Sequence, residues 1–157
     1  MKYAGVVVLF NPDDKVLENI KTYINYLDKL YVVDNTPNSD NSKLFNNKKI
    51  EYIANRENKG IAYALNIGAK RALKENFDFL LTMDQDSSFP KGSVKKIIDY
   101  IEDNSEYVMR KVGIVSAYHL TPQNEGRKAP KVNKPLLVDT TAIPKPPYTC
   151  GKFLDLL

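Results

Sequence analysis

Histidine and cysteine are almost missing from this chain, which has one of each, His119 and Cys150, in 157 residues. A single cysteine permits no internal disulfide, and a single histidine excludes a histidine-rich zinc site, so any bound metal has to be held by oxygen. No run of about 18 apolar residues occurs, which excludes a membrane-spanning helix of the usual kind. The apolar stretch in MKYAGVVVLFNPDD lacks a small-residue cleavage site and flows into structured sequence, so it reads as a first strand, with a cytoplasmic location expected. A glycine-rich phosphate loop is absent too. The first strand runs into FNPDDK, where a dinucleotide-binding enzyme needs G-x-G-x-x-G and a nucleotidyltransferase needs glycines beside Arg or Lys. Internal repeats are absent.

What remains is the composition of one globular domain spanning residues 1–157, long enough to bury a core. Its net charge of +4 is lopsided: residues 1–106 carry 15 Lys and Arg against 16 Asp and Glu, and residues 107–157 carry 8 against 3. The basic excess, including Arg127, Lys128, Lys131, Lys134 and Lys145, suits phosphates or peripheral contact with an anionic membrane face. These charges are interleaved with Pro and Asn, as in a solvated loop. No RNA-binding aromatic motif or recognition-helix pattern accompanies them, so nucleic acid is not the expected partner.

Strand and helix patterns alternate along the chain. YAGVVVLF is the near-continuous apolar run of a strand covered on both faces. Asn11, Pro12 and Asp13 break it, and Val16, Leu17, Ile20, Tyr23, Ile24 and Leu27 recur at helical spacing. LYVVDN is a second strand ending at Asp34, TPNSDNS a loop and KKIEYIA a third strand. Gly60 precedes IAYALNIGAKRALKE, a helix small-sided enough to lie close on a sheet, and FDFLLTM is a fourth strand that looks fully buried. A surface helix over 92–103, a fifth strand VGIVSAY and a long loop over 121–135 are expected next. This order predicts a three-layer α/β sandwich with a mainly parallel sheet.

In such sheets ligands lie beyond the carboxyl ends of the strands, which gathers Asn11, Asp34, Asn35, Asp84 and Asp86 along one edge. Asp84 and Asp86 close the segment LLTMDQDSSF, and at i and i+2 of an extended chain they project to one side. Two hard oxygen donors suit Mg²⁺ or Mn²⁺, which accept few carboxylates and complete their shells with water and phosphate oxygens. The plainer reading is a strand-end acidic pair, with Ser87 or Ser88 serving the next helix.

Four pieces, VVVLFNP, VVDNTPNSD, ENKGIAYALNIGAKRA and LLTMDQDSSF, occur in an order that resembles the family 2 glycosyltransferases of GT-A fold, and within them the rhamnosyltransferase-like branch. The resemblance covers about the first 90 residues. It implies that Asn11 and Pro12 close the first strand beside the base, that Asp34, followed by Asn35, accepts the N3 proton of uracil or thymine, and that Gly60 admits the nucleotide to the backbone. Asn66 would wall the pocket, Asp84 would bond the ribose or assist the metal, and Asp86 would ligate an Mn²⁺ or Mg²⁺ bridging both phosphates. The implied donor is a UDP- or dTDP-sugar such as dTDP-rhamnose, transferred with inversion to a glycan or lipid-linked acceptor. Family members usually take their general base from an acidic motif in the second half, and none follows Asp86. Asp99, Glu102, Asp103 and Glu106 read as surface helix charges, and Asp139 is isolated. YTCGKFLDLL resembles the strand that leads into the acceptor region, so the expectation is a donor-binding half cut short, with apolar surface at FLDLL available for a homodimer. The alternative is a catalytically inactive nucleotide-sugar-binding module.

Overall fold

The computed structural model describes residues 1–115, which divide after Lys96 into two units. The first is an α/β unit whose four strands, β1 (Tyr3–Leu9), β2 (Lys29–Asp34), β3 (Ile50–Ala54) and β4 (Phe79–Asp84), form one sheet in the order β3-β2-β1-β4. Every pairing is parallel, with Leu9 opposite Asp34, Val8 opposite Asp84 and Asp34 opposite Ala54. The chain thus builds outward from β1 through β2 to β3, then returns to add β4 on the other side. β1 and β2 are buried almost throughout, the consequence of valine-rich runs covered on both faces.

Helix α2 (Ile61–Lys74) covers one face, and its sheet-facing stripe is Ala64, Gly68 and Ala72. A Cβ on Gly68 would stand 2.5 Å from Val6 Cγ2, so the glycine is what allows the helix to lie this close to β1. Gly5, one residue along, faces the other way, where a Cβ would meet Leu27 Cδ1 at 2.6 Å. That second face is covered by α1 (Lys15–Lys21) and the 3-10 turn Ile24–Tyr26 that leads to Leu27. Sheet and two covering layers make the three-layer arrangement expected from the sequence.

Three local features differ from expectation. The helical periodicity from Val16 to Leu27 is carried by two short pieces, because Thr22 Oγ1 donates to the Asn19 carbonyl at 2.6 Å and the backbone tightens to i→i−3 bonds, Tyr23 N to Ile20 O among them. β4 is only half-buried, with Met83 its one buried residue, since it is one of the two edge strands of the described sheet. Residues 112–115 of the expected fifth strand carry no strand. The remainder of that strand, the 121–135 loop, the basic tail, His119, Asp139, Cys150 and YTCGKFLDLL lie outside the described residues.

The second unit begins within α3 (Ser93–Asp103) and includes α4 (Ser105–Lys111), where Glu106 and Arg110 form an i,i+4 ion pair at 3.3 Å. Among the described residues no helix is long and apolar enough to cross a membrane.

Candidate functional site

A cleft of about 360 Å³ opens at the carboxyl ends of β1 and β4 and the start of α2, lined by Val8, Leu9, Phe10, Asn35, Asn58, Ile61, Asp84, Gln85 and Asp86. It lies where the strand order reverses direction, the position at which open parallel sheets leave a crevice between diverging connections.

The loop after β4 is pinned from both sides. Gln85 Oε1 accepts from Phe10 N–H at 2.9 Å and its Nε2 donates to the Phe10 carbonyl at 3.1 Å, so one carboxamide extends the β1–β4 ladder past the last strand residue. From α1, Asn19 Nδ2 donates to the Gln85 carbonyl at 2.9 Å. Further along, Phe89 N–H donates to Thr22 Oγ1 at 3.1 Å, and the Phe89 ring meets Tyr23 edge-on. None of this anchoring uses the carboxylates of Asp84 and Asp86. Both are exposed in the cleft, and no hydrogen bond or ion pair to another described residue holds either one.

The floor is tied together by neutral amides. Asn55 Nδ2 donates to Asn35 Oδ1 at 2.7 Å, Asn35 Nδ2 donates to the Gly60 carbonyl at 3.1 Å, and Gly60 N–H donates to Asn58 Oδ1 at 3.0 Å. This relay sets where α2 begins. Gly60 has φ = 80°, a left-handed conformation that a side chain would resist, and it stands as the N-cap of α2. Phe10 and Ile61, 44% and 54% exposed, supply the apolar part of the lining.

Asp34 is set apart from the other two aspartates. It is 1% exposed and does not line the cleft. Its Oδ1 accepts from Thr36 N–H at 2.8 Å, and its Oδ2 accepts from Tyr52 Oη at 2.7 Å and from Asn41 Nδ2 at 2.8 Å. A carboxylate holding three donors is a structural anchor for the β2–β3 connection. Three of its roughly four acceptor positions are taken by the fold's own donors, one of them on Oδ1 and two on Oδ2. Burial raises the Tyr52 hydroxyl well above the usual tyrosine range, and its bond to Asp34 adds to the effect, so it donates across the whole working pH range.

Asn35 does line the cleft. Asn11 does not: it takes φ = 47° at the strand exit and donates its N–H to Thr36 Oγ1 at 2.8 Å, with Pro12 following outside the lining. Asn66, two residues past Ala64, points about 160° away from the sheet-facing stripe and is absent from the lining. The structure therefore brings together Asn35, Asp84 and Asp86, with Gly60 at their margin, and leaves Asn11, Pro12, Asp34 and Asn66 outside. Sequence reading missed Gln85, Asn55, Asn58 and Phe10. The one signal available for Gln85 was a carboxamide flanked by two carboxylates.

Among the described residues no group of three or more His, Cys, Asp and Glu gathers to enclose a metal. Two unengaged carboxylates in an open cleft fit a different kind of ion, Mg²⁺ or Mn²⁺ held by one or two carboxylates and completed by substrate phosphate oxygens. When bound, such an ion would offset negative charge on a phosphate leaving group.

A four-stranded parallel sheet with flanking helices is an α/β fold consistent with a GT-A glycosyltransferase domain. The chain belongs to glycosyl transferase family 2, whose family model matches residues 6–153. It is similar to the dTDP-rhamnosyl transferase RfbF of Shigella flexneri, with 31% identity over 106 residues, covering 64% of this chain and 35% of that protein. The chain thus matches the smaller part of that relative's length.

Proposed function

We propose that this chain binds a nucleoside-diphosphate sugar in the cleft at the ends of β1 and β4 and serves transfer of that sugar to a hydroxyl acceptor. The observation that carries the reading is the contrast among its aspartates: three donors of the fold hold the buried carboxylate of Asp34, whereas the carboxylates of Asp84 and Asp86 line the cleft with no partner among the described residues. An unpaired pair of like charges costs the free protein energy, and a divalent cation held by the two carboxylates would remove that cost. Asp86 and Asp84 would hold the ion. The exposed Phe10 and Ile61 offer apolar area to the nucleoside, and Asn35 and Asn58 keep the cleft floor in place.

A pyrimidine donor, dTDP-rhamnose or a UDP-sugar, is the donor class favoured here. Its support is the dTDP-rhamnosyl transferase activity of the relative and not Asp34, which is buried and held by three donors of the fold. Displacement at the anomeric carbon with inversion would use the cation and the cleft's dipoles to stabilise the departing diphosphate. The acceptor would be a glycan or a lipid-linked saccharide, and residues 1–157 would form one transferase domain.

The test is calorimetry of the full chain with UDP, dTDP, GDP and ADP, with and without Mn²⁺. Binding of UDP or dTDP that requires Mn²⁺ and is abolished by EDTA supports the reading. Equal affinity for all four, or indifference to EDTA, rejects it.

A further inference from the structure

The residue between the two cleft aspartates is the least expected part of the site. Gln85 lines the cleft, yet its side chain is turned back onto the main chain of Phe10, accepting one hydrogen bond and donating another. A two-point contact of this kind fixes both the position and the rotation of residue 85, because an amide plane that meets an N–H and a C=O of one residue has a single orientation left. Asn19 then fixes the peptide on the far side through the Gln85 carbonyl. Strand β4 has already ended at Asp84, so the ladder itself does not define where Asp86 stands.

We infer that Gln85 is a positioning residue: by clamping to Phe10 it sets how Asp84 and Asp86 are presented together to a divalent cation, without touching the cation itself. This rests on the reading of the acidic pair as the metal-holding element. Outer groups that orient metal-binding side chains typically change metal affinity by about 10- to 100-fold when removed. Here the orienting group acts through the backbone of the carboxylates' common neighbour. The same clamp ties the pair to Phe10, so cation and nucleoside sites would share one rigid connection.

The experiment compares wild type, Gln85→Met, Gln85→Asn and Asp86→Ala as full chains. Mn²⁺ affinity is read by electron paramagnetic resonance titration of the free ion, alone and with UDP or dTDP, beside thermal unfolding. Methionine keeps the side-chain length and loses both polar bonds, and asparagine keeps the carboxamide one methylene too short to close the ring. Both variants should bind Mn²⁺ about tenfold or more weakly, with melting points close to wild type because the clamp lies at the exposed end of the sheet. Should Gln85→Met fail to fold, Gln85→Asn carries the comparison. Wild-type Mn²⁺ affinity in the Gln85 variants, with loss only in Asp86→Ala, overturns the positioning role and leaves the metal reading intact. A lowered melting point with unchanged Mn²⁺ affinity also overturns it, since Gln85 would then be structural only. No Mn²⁺ binding by wild type overturns both.

Discussion

Asp34 offers the sharpest separation between a structural role and a ligand-reading role. Replacing it with alanine orphans three donors at once: Thr36 N–H, Tyr52 Oη and Asn41 Nδ2. Hydrogen bonds to a charged group contribute about 1.5 to 3 kcal/mol each, and a buried donor left without a partner costs about 1 to 3 kcal/mol. Thr36 is buried, so its amide bears the full penalty, about 2 kcal/mol. Tyr52 and Asn41 are half-buried and water can reach them, which lowers their share to about 1 kcal/mol each. The sum is about 4 kcal/mol, or roughly 8 to 16 °C in melting temperature for a chain of this size. Asp34→Asn keeps one acceptor oxygen and turns an NH₂ toward a donor, so about half of that loss is expected.

Urea unfolding of wild type, Asp34→Ala, Tyr52→Phe and the double variant measures the coupling directly. Tyr52→Phe should cost about 1 kcal/mol more in the wild-type background than in Asp34→Ala, where the hydroxyl still accepts from Asn41 N–H at 2.8 Å. Stability of Asp34→Ala within about 0.5 kcal/mol of wild type, the range of ordinary surface changes, would refute the anchoring role. If Asp34→Asn retained stability but lost affinity for UDP or dTDP, the base-reading role implied by the family resemblance would be restored in its place.

Asp86→Ala should abolish the Mn²⁺ requirement for nucleotide binding, and Asp84→Asn should weaken nucleotide affinity by about 1 to 3 kcal/mol; calorimetry in which both behave as wild type would remove the acidic pair from the site. Gly68→Ala places a Cβ 2.5 Å from Val6 Cγ2, and an overpacking cost of about 1 to 3 kcal/mol should exceed the helix-propensity gain of about 1 kcal/mol. Adding Val6→Ala should relieve the clash, and a stabilised Gly68→Ala in thermal unfolding would show that α2 lies farther from β1 than described. Lys29 Nζ contacts both Glu75 oxygens at 2.8 Å, and this bond holds the Glu75 carboxyl below its ordinary value of 4.5. A depressed folded-state value means that the stabilisation is present above pH 4.5 and fades as pH falls through the folded value. The pair is partly exposed and solvent screens it, so Glu75→Gln should cost under about 1 kcal/mol at pH 7 and nothing at the acid end, as read from melting temperature against pH.

Most of the sheet was legible because its strands are written as apolar runs with polar exits, a signal that survives without any knowledge of neighbours. YAGVVVL and KLYVVD are buried in the structure as their composition demands. What periodicity cannot see is a side chain that competes for backbone groups, and so Thr22 splits the expected helix in two. Nor does composition reveal strand order: FLLTMD looks as buried as β1 until the topology makes it an edge. For the site, the sheet-edge rule gathered loops at the carboxyl ends of the strands but could not assign which residue on each loop faces the cleft. Asp34 stands opposite Leu9, on the face turned from α2, while Asp84 stands opposite Val8 on the face toward it. One residue of register decides which aspartate opens into the cleft and which is held by the fold's own donors.

The choice of amides over acids on the cleft floor follows from the same division of labour. The relay from Asn55 through Asn35 to the Gly60 carbonyl needs a group that accepts on one side and donates on the other, which an ionised carboxylate cannot do. The same holds for Gln85, whose two bonds to Phe10 run in opposite directions. An aspartate at 35 or a glutamate at 85 would therefore break the scaffold and also add a third negative charge beside Asp84 and Asp86. Like charges within a few ångströms interact by several kcal/mol at the effective dielectric near a protein surface, about 4 kcal/mol at 4 Å. Carrying the scaffold on neutral carboxamides keeps the negative charge of the cleft on two residues. Two is also the number of protein carboxylates at which a Mg²⁺- or Mn²⁺-type ion still has most of its positions open for phosphate oxygens.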